Sequence, residues 1–229
     1  MKRIVVILLL LLATHTIYAR HFIPNKVYRY RATYDRDSLK IHTSNIITFM
    51  TDGKPWREDS TQQQLFIGIE YMPGDSMRCR YIRTDRWSHH GHSGMIDRED
   101  YLWMHPPRAN QFIIMEVSPF PEVRFPIHDS MQYYTKFNTA DSWGMYANLY
   151  LLHNYKVTGV DTVNHIPYWH IHVRSTFRLI ANDDLMNAVT ISDFLFNEQL
   201  GFYSMEYKFY DGTHVKLVLE EDVTEKKHK

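Results

Sequence analysis

The residues near the carboxyl end alternate strictly. Tyr203, Met205, Tyr207 and Phe209 fall on one face of an extended segment, and Ser204, Glu206 and Lys208 fall on the other. Asp211-Gly212 supplies a turn pair that tolerates positive φ, after which Val215, Leu217 and Leu219 resume the apolar face. A helix would scatter these side chains round its surface, whereas a strand sends every second one to the same side. The segment therefore predicts a β-hairpin with one buried and one wet face. The same alternation opens the chain at 27–34, where Tyr28, Tyr30, Ala32 and Tyr34 oppose Arg29, Arg31 and Thr33.

Further strands are predicted at 45–50, closed by Asp52-Gly53, and at 64–71, turned by Pro73-Gly74-Asp75. Another is predicted at 77–82, with Cys79 on its apolar side as a buried, inert thiol. Others fall at 149–158, 168–177 and 188–196. Apolar runs at 111–117 and 120–127 join them, the second confined by Pro119, Pro121 and Pro126 to an edge or loop. Helix candidates are few: 130–136, and 140–150, which Gly144 weakens. No long segment has a 3.6-residue period. The expectation is an all-β fold with little helix: a single antiparallel curved sheet, as a half-open barrel or sandwich of about nine or ten strands. Without repeats or low-complexity stretches, 20–223 reads as one domain and 224–229 as a frayed charged tail.

Lys2 and Arg3 precede an apolar run that ends at Ala13, and Ala19 closes the segment. A positive start, a short greasy centre and a small residue at the end predict a signal peptide over 1–19. The apolar run is too short to span a bilayer core of about 30 Å as a helix. The expected location is exported, periplasmic or extracellular, with no stable membrane insertion after cleavage. No Cys stands near the cut to carry a lipid anchor. The absence of an Asn-x-Ser/Thr sequon fits a bacterial source.

The chain holds 26 Lys+Arg against 26 Asp+Glu, which argues against a nucleic-acid binder driven by phosphate contacts. One Cys excludes an intramolecular disulfide framework and a thiolate zinc site. Histidine is abundant, at 14 residues. The sharpest cluster is Trp87-Ser88-His89-His90-Gly91-His92-Ser93-Gly94, read as a loop. His89, His90 and His92 are the candidate metal ligands, for Zn, with a further ligand from Asp97, Glu99 or His105. The alternative is a solvated surface loop. His170 and His172 share one side of a predicted strand beside Arg174, as a surface pair or as the lining of a polar lumen. Gly91-His92-Ser93-Gly94-Met95 imitates a nucleophile elbow but lacks the final glycine and the strand-turn-helix setting. Arg108 is expected to order the proline-rich ribbon by pairing with Glu116 or Glu122. No paired carboxylates, Walker motif or dinucleotide glycine motif is present.

His105-Pro106-Pro107-Arg108, the run Pro119-Phe120-Pro121-Glu122-Val123-Arg124-Phe125-Pro126, and Phe196-Asn197-Glu198 with Gly201-Phe202 resemble segments of uncharacterised exported β-rich proteins of Bacteroides-type bacteria. The layout is also similar to curved half-barrel lipid or lipoprotein carriers. These resemblances imply a compartment and a fold, but no activity. Three readings follow. The first is a non-enzymatic exported protein with a cavity for a hydrophobic or lipid-like ligand. The second is a metal-dependent enzyme using the His89/His90/His92 loop. The third is a structural or adhesive surface module.

Overall fold

The computed structural model describes residues 21–71, 88–139, 148–181 and 184–220, with the backbone alone at 71, 88–90, 179–181 and 184–186. The leader, the tail, the expected strand at 77–82 with Cys79, and most of the expected helix at 140–150 lie outside the described residues. The described strands are β1 (Tyr28–Arg36), β2 (Ile41–Pro55), β3 (Gln63–Tyr71), β4 (Ser88–Asp97), β5 (Tyr101–Met104), β6 (Glu122–Arg124), β7 (Gln132–Asn138), β8 (Tyr150–Val163), β9 (Ile166–Ala181), β10 (Asp184–Asn197), β11 (Gly201–Lys208) and β12 (His214–Leu219). All pair antiparallel in one sheet of order β6-β5-β4-β3-β2-β1-β12-β11-β10-β9-β8-β7. The sheet curls into a half-barrel rather than dividing into a sandwich. Two meanders of six strands meet at the β1–β12 seam, where Tyr30 faces Leu219 and Tyr34 faces Val215.

Twelve strands replace the nine or ten expected. The surplus comes from segments whose composition hid them. The histidine- and glycine-rich 88–97 is strand β4, not a loop. Residues 132–138, which overlap the expected helix at 130–136, form β7. Conversely, the apolar 111–117 is not a strand: Asn110–Val117 is a 3-10 helix, η2. Asp52-Gly53 does not end β2. The ladder with β3 shifts register between Thr51 and Pro55, and Gly53 at φ 74° absorbs the extra length.

The alternation of β1 holds, with Tyr28, Tyr30, Ala32 and Tyr34 buried and Arg29 and Arg31 exposed. On β11 it holds for Met205 and Tyr207 but breaks at Tyr203. A register shift at Leu195/Phe196 pairs Phe196 with Phe202 and Leu195 with Ser204. Tyr203 is the extra residue, so Phe202 takes the interior place. Tyr203 packs outside on Tyr168, with ring centroids 5.2 Å apart.

The concave face is filled. Segment 105–121 crosses it, carrying η2, whose Phe112 meets Tyr34 edge-on and whose Gln111 Nε2 donates to Asn45 Oδ1 at 3.1 Å. Phe120 packs among Trp103, His105 and Phe137. Three of the buried tyrosines donate their hydroxyls to backbone carbonyls: Tyr30 to Phe202 at 2.7 Å, Tyr155 to Phe120 at 2.9 Å and Tyr133 to Glu122 at 2.8 Å. The two outermost strands meet through side chains. Glu122 of β6, fully buried, accepts from Thr135 Oγ1 of β7 at 2.8 Å and from Arg124 Nε at 3.2 Å. Arg124 reaches over the Tyr133 ring and donates to the Tyr134 carbonyl at 3.3 Å. At one end of the curl, the Asp97 carboxylate accepts the backbone N–H groups of His21 and Phe22 at 3.2 and 2.9 Å, and the His21 ring stacks on Phe125 at 4.5 Å.

Candidate functional site

Where η2 approaches β3 and β4, an open groove of about 390 Å³ remains. Ile67, Ile69 and Gly91 form its apolar wall, and His92, Ser93, Arg108, Asn110 and Glu116 its polar side. Strand alternation sends Ser93 inward with Met95 and Asp97, and leaves His92 exposed. Ser93 is 1% exposed, and its Oγ has no hydrogen-bond partner among the described residues. Burial raises the Glu116 carboxyl above the ordinary glutamate range, and the Arg108 guanidinium works against that rise. An apolar strip, a cation, a carboxyl whose charged form burial disfavours and an orphan hydroxyl therefore line one concavity, the arrangement by which small-molecule sites fix an apolar body and a polar head.

Of the expected ligands, His92 flanks this groove. His89 and His90 are paired in β4 with Ile69 and Gly68, and their side chains lie outside the described residues. Because 88–97 is a strand, its two-residue period puts positions 90 and 92 on one side of the sheet and 89 on the other. Asp97 is engaged with His21 and Phe22. His105 is buried beside Phe120, where desolvation, aided by Arg108, pushes it down to about 3. Among the described residues no group of three or more His, Cys, Asp or Glu is placed to hold a metal ion. Of the two carboxylates expected to pair with Arg108, Glu122 is engaged by Arg124 at 3.2 Å, whereas Glu116 feels the Arg108 charge.

His170 and His172 stand on the outer face, with Ile171 and Val173 buried opposite. Asp193 Oδ1 lies 3.1 Å from His170 Nε2 and 2.8 Å from His172 Nδ1, and Asp161 Oδ2 lies 3.4 Å from His170 Nδ1. This is a satisfied surface cluster, not a lumen lining.

The alternation did not single out one pair. His153 of β8 faces Ser175 of β9, with Nδ1 2.9 Å from Oγ. Both are sealed, at 1% and 0% exposure, and burial lowers His153 to about 4. A serine and an imidazole in contact suggest an activated nucleophile, but no path leads a substrate to atoms this deep. Ser93, in the elbow-like sequence, sits mid-strand without a base in bonding reach. Gly94 beside it has a packing role. A Cβ there would overlap the Gln62 amide and stand 2.8 Å from Trp56 Cε3, so the missing side chain lets the end of β2 fold across β4.

The chain matches no family model and no curated relative. Among solved structures it is similar to a "putative exported protein with YmcC-like fold" from Bacteroides fragilis, at TM-score 0.39 and 10% identity, over 88% of this chain and 98% of that one. Among the described residues no helix is long and apolar enough to cross a membrane.

Proposed function

We propose that this is an exported, non-enzymatic binding protein that holds an amphipathic acid, an apolar body with an anionic head, in the groove between η2 and β3–β4. The observation that carries the reading is the convergence of Ile67 and Ile69 with Arg108 and the unpartnered Ser93 hydroxyl on one open concavity. Arg108 attracts the anionic head, and Ser93 lies buried in the groove wall beside it. Glu116, which keeps a proton more readily than an ordinary glutamate, competes for Arg108 only weakly. The leader supports export, and the sealed His153–Ser175 pair supports binding over catalysis. The similarity of layout to half-barrel lipid carriers agrees with this reading.

The test is a titration of the purified chain with a fluorescent long-chain fatty acid, beside native mass spectrometry of untagged protein from its own compartment. Arg108→Gln should weaken binding about tenfold, or ~1.4 kcal/mol. Glu116→Gln, which removes only a weak competitor for Arg108, should change it less than about twofold. Equal affinity in parent and Arg108→Gln, or release of the same probe without its carboxylate at the same concentration, refutes the groove as the site.

A further inference from the structure

The outer face of β7, β8 and β9 carries cations at regular intervals. The ladders set four cross-strand rows. Gln132 faces Lys156, which faces His172; Tyr134 faces Asn154, which faces Arg174; Lys136 faces Leu152, which faces Thr176. In the fourth row Asn138 faces Tyr150, which lines a hollow of about 590 Å³ together with Arg178. Each row holds one exposed Lys or Arg, and successive rows are roughly 7 Å apart along the strands. None of Lys136, Lys156, Arg174 and Arg178 makes a hydrogen bond or ion pair with the described residues. Elsewhere on the sheet the cations are paired: Arg29 and Arg31 share Glu220, and Lys208 and Lys216 share Glu206. The carboxylates bordering the face, Asp193 and Asp161, are taken by His170 and His172. With acids and bases balanced over the whole chain, four cations on three adjacent strands, unpaired among the described residues, are a concentration of charge, not a general excess.

Between the cations stand Tyr134, 59% exposed, and Tyr150, 78% exposed, with Asn138, Asn154, Gln132 and Thr176 beside them. We infer that this face binds an acidic polysaccharide, laid along the strands with its carboxylates on the cation ladder and its sugar rings against the two tyrosines. Charge complementarity names the polyanion, and the exposed aromatic rings beside neutral amides and a hydroxyl name a hydroxyl-rich one. A membrane-docking face would gather aliphatic side chains, and among these rows Leu152 is the single exposed aliphatic one, beside the two tyrosines. The face lies on the convex side, away from the groove, so the inference stands or falls independently of the ligand proposed there.

Affinity electrophoresis of the purified chain through gels containing polygalacturonate, neutral dextran or dextran sulfate tests it, with flotation on phosphatidylglycerol vesicles alongside. The expected result is retardation by polygalacturonate and not by dextran, weakening as salt rises. Lys136→Glu with Arg174→Glu should raise the apparent Kd at least about tenfold, with an unchanged melting temperature. Tyr134→Ala with Tyr150→Ala should raise it severalfold at constant charge. The inference is overturned if polygalacturonate gives no retardation, if the charge-reversed variant is retarded like the parent, or if the tyrosine variant binds polygalacturonate unchanged. It is equally overturned if the vesicles bind the chain and polygalacturonate does not.

Discussion

His153 and His105 are imidazoles that fold uncharged. Burial depresses them from 6.5 to about 4 and about 3 respectively. The folded state refuses protons that the unfolded chain accepts once pH drops below about 6.5. Their contribution to stability is therefore whole above that pH and is lost progressively as pH falls towards 4. Urea melts at pH 7 and pH 5 check this: His153→Gln should lose about 2 kcal/mol less than the parent between the two. Equal losses would show that the ring does not carry the acid sensitivity. Tyr155→Phe should cost ~1 kcal/mol in the same melts, because its hydroxyl donates to the Phe120 carbonyl inside the core. Neither residue could be ranked from sequence. His153 was one histidine among 14, and what isolates it is Ser175 arriving from the neighbouring strand.

Strands announced themselves where polar and apolar residues alternate. β1, β8, β9, β11 and β12 lie close to the expected segments, because one of their faces meets the core and the other meets water. The rule failed where that contrast was missing. β4 puts Gly91, Ser93 and Met95 inward and is too poor in apolar residues to be recognised. η2 is apolar nearly all round because it lies within the segment that crosses the concave face of the sheet, and periodicity does not separate a buried short helix from a buried strand. β9 begins at Ile166 rather than 168 because Asn164 and His165, both at positive φ, make a two-residue hairpin with β8. The groove suffers the same blindness, since Ser93 and Arg108 belong to different elements and only the fold of 105–121 unites them. Gly94→Ala should destabilise by about 1–3 kcal/mol through overpacking against the Trp56 ring, read as a lowered denaturation midpoint. Thr135→Val should cost a similar ~1–3 kcal/mol, as it strips a donor from buried Glu122 and loosens the join between β6 and β7. A midpoint shift below ~0.5 kcal/mol in either variant would contradict the packing described.

On the scale of the molecule, the half-barrel was legible as a class and illegible as an arrangement. Alternation says that one face is buried, but it does not say that the sixth and seventh strands become the outer edges while the first and last become neighbours. Neither six-stranded meander has a partner for its seam edge without the other. Fragments ending and beginning within 125–131 should each be unfolded by circular dichroism and regain the strand spectrum when mixed. A fragment that is cooperative by itself would contradict a shared core. The seam also fixes an order of events. A ribosome delivers Tyr30 long before Leu219, so one flank of the first strand must wait, bare and ready to bind the wrong neighbour, until the twelfth strand has been made. A nascent protein built this way gains from being kept extended until synthesis ends, which is the state that translocation through a narrow pore demands.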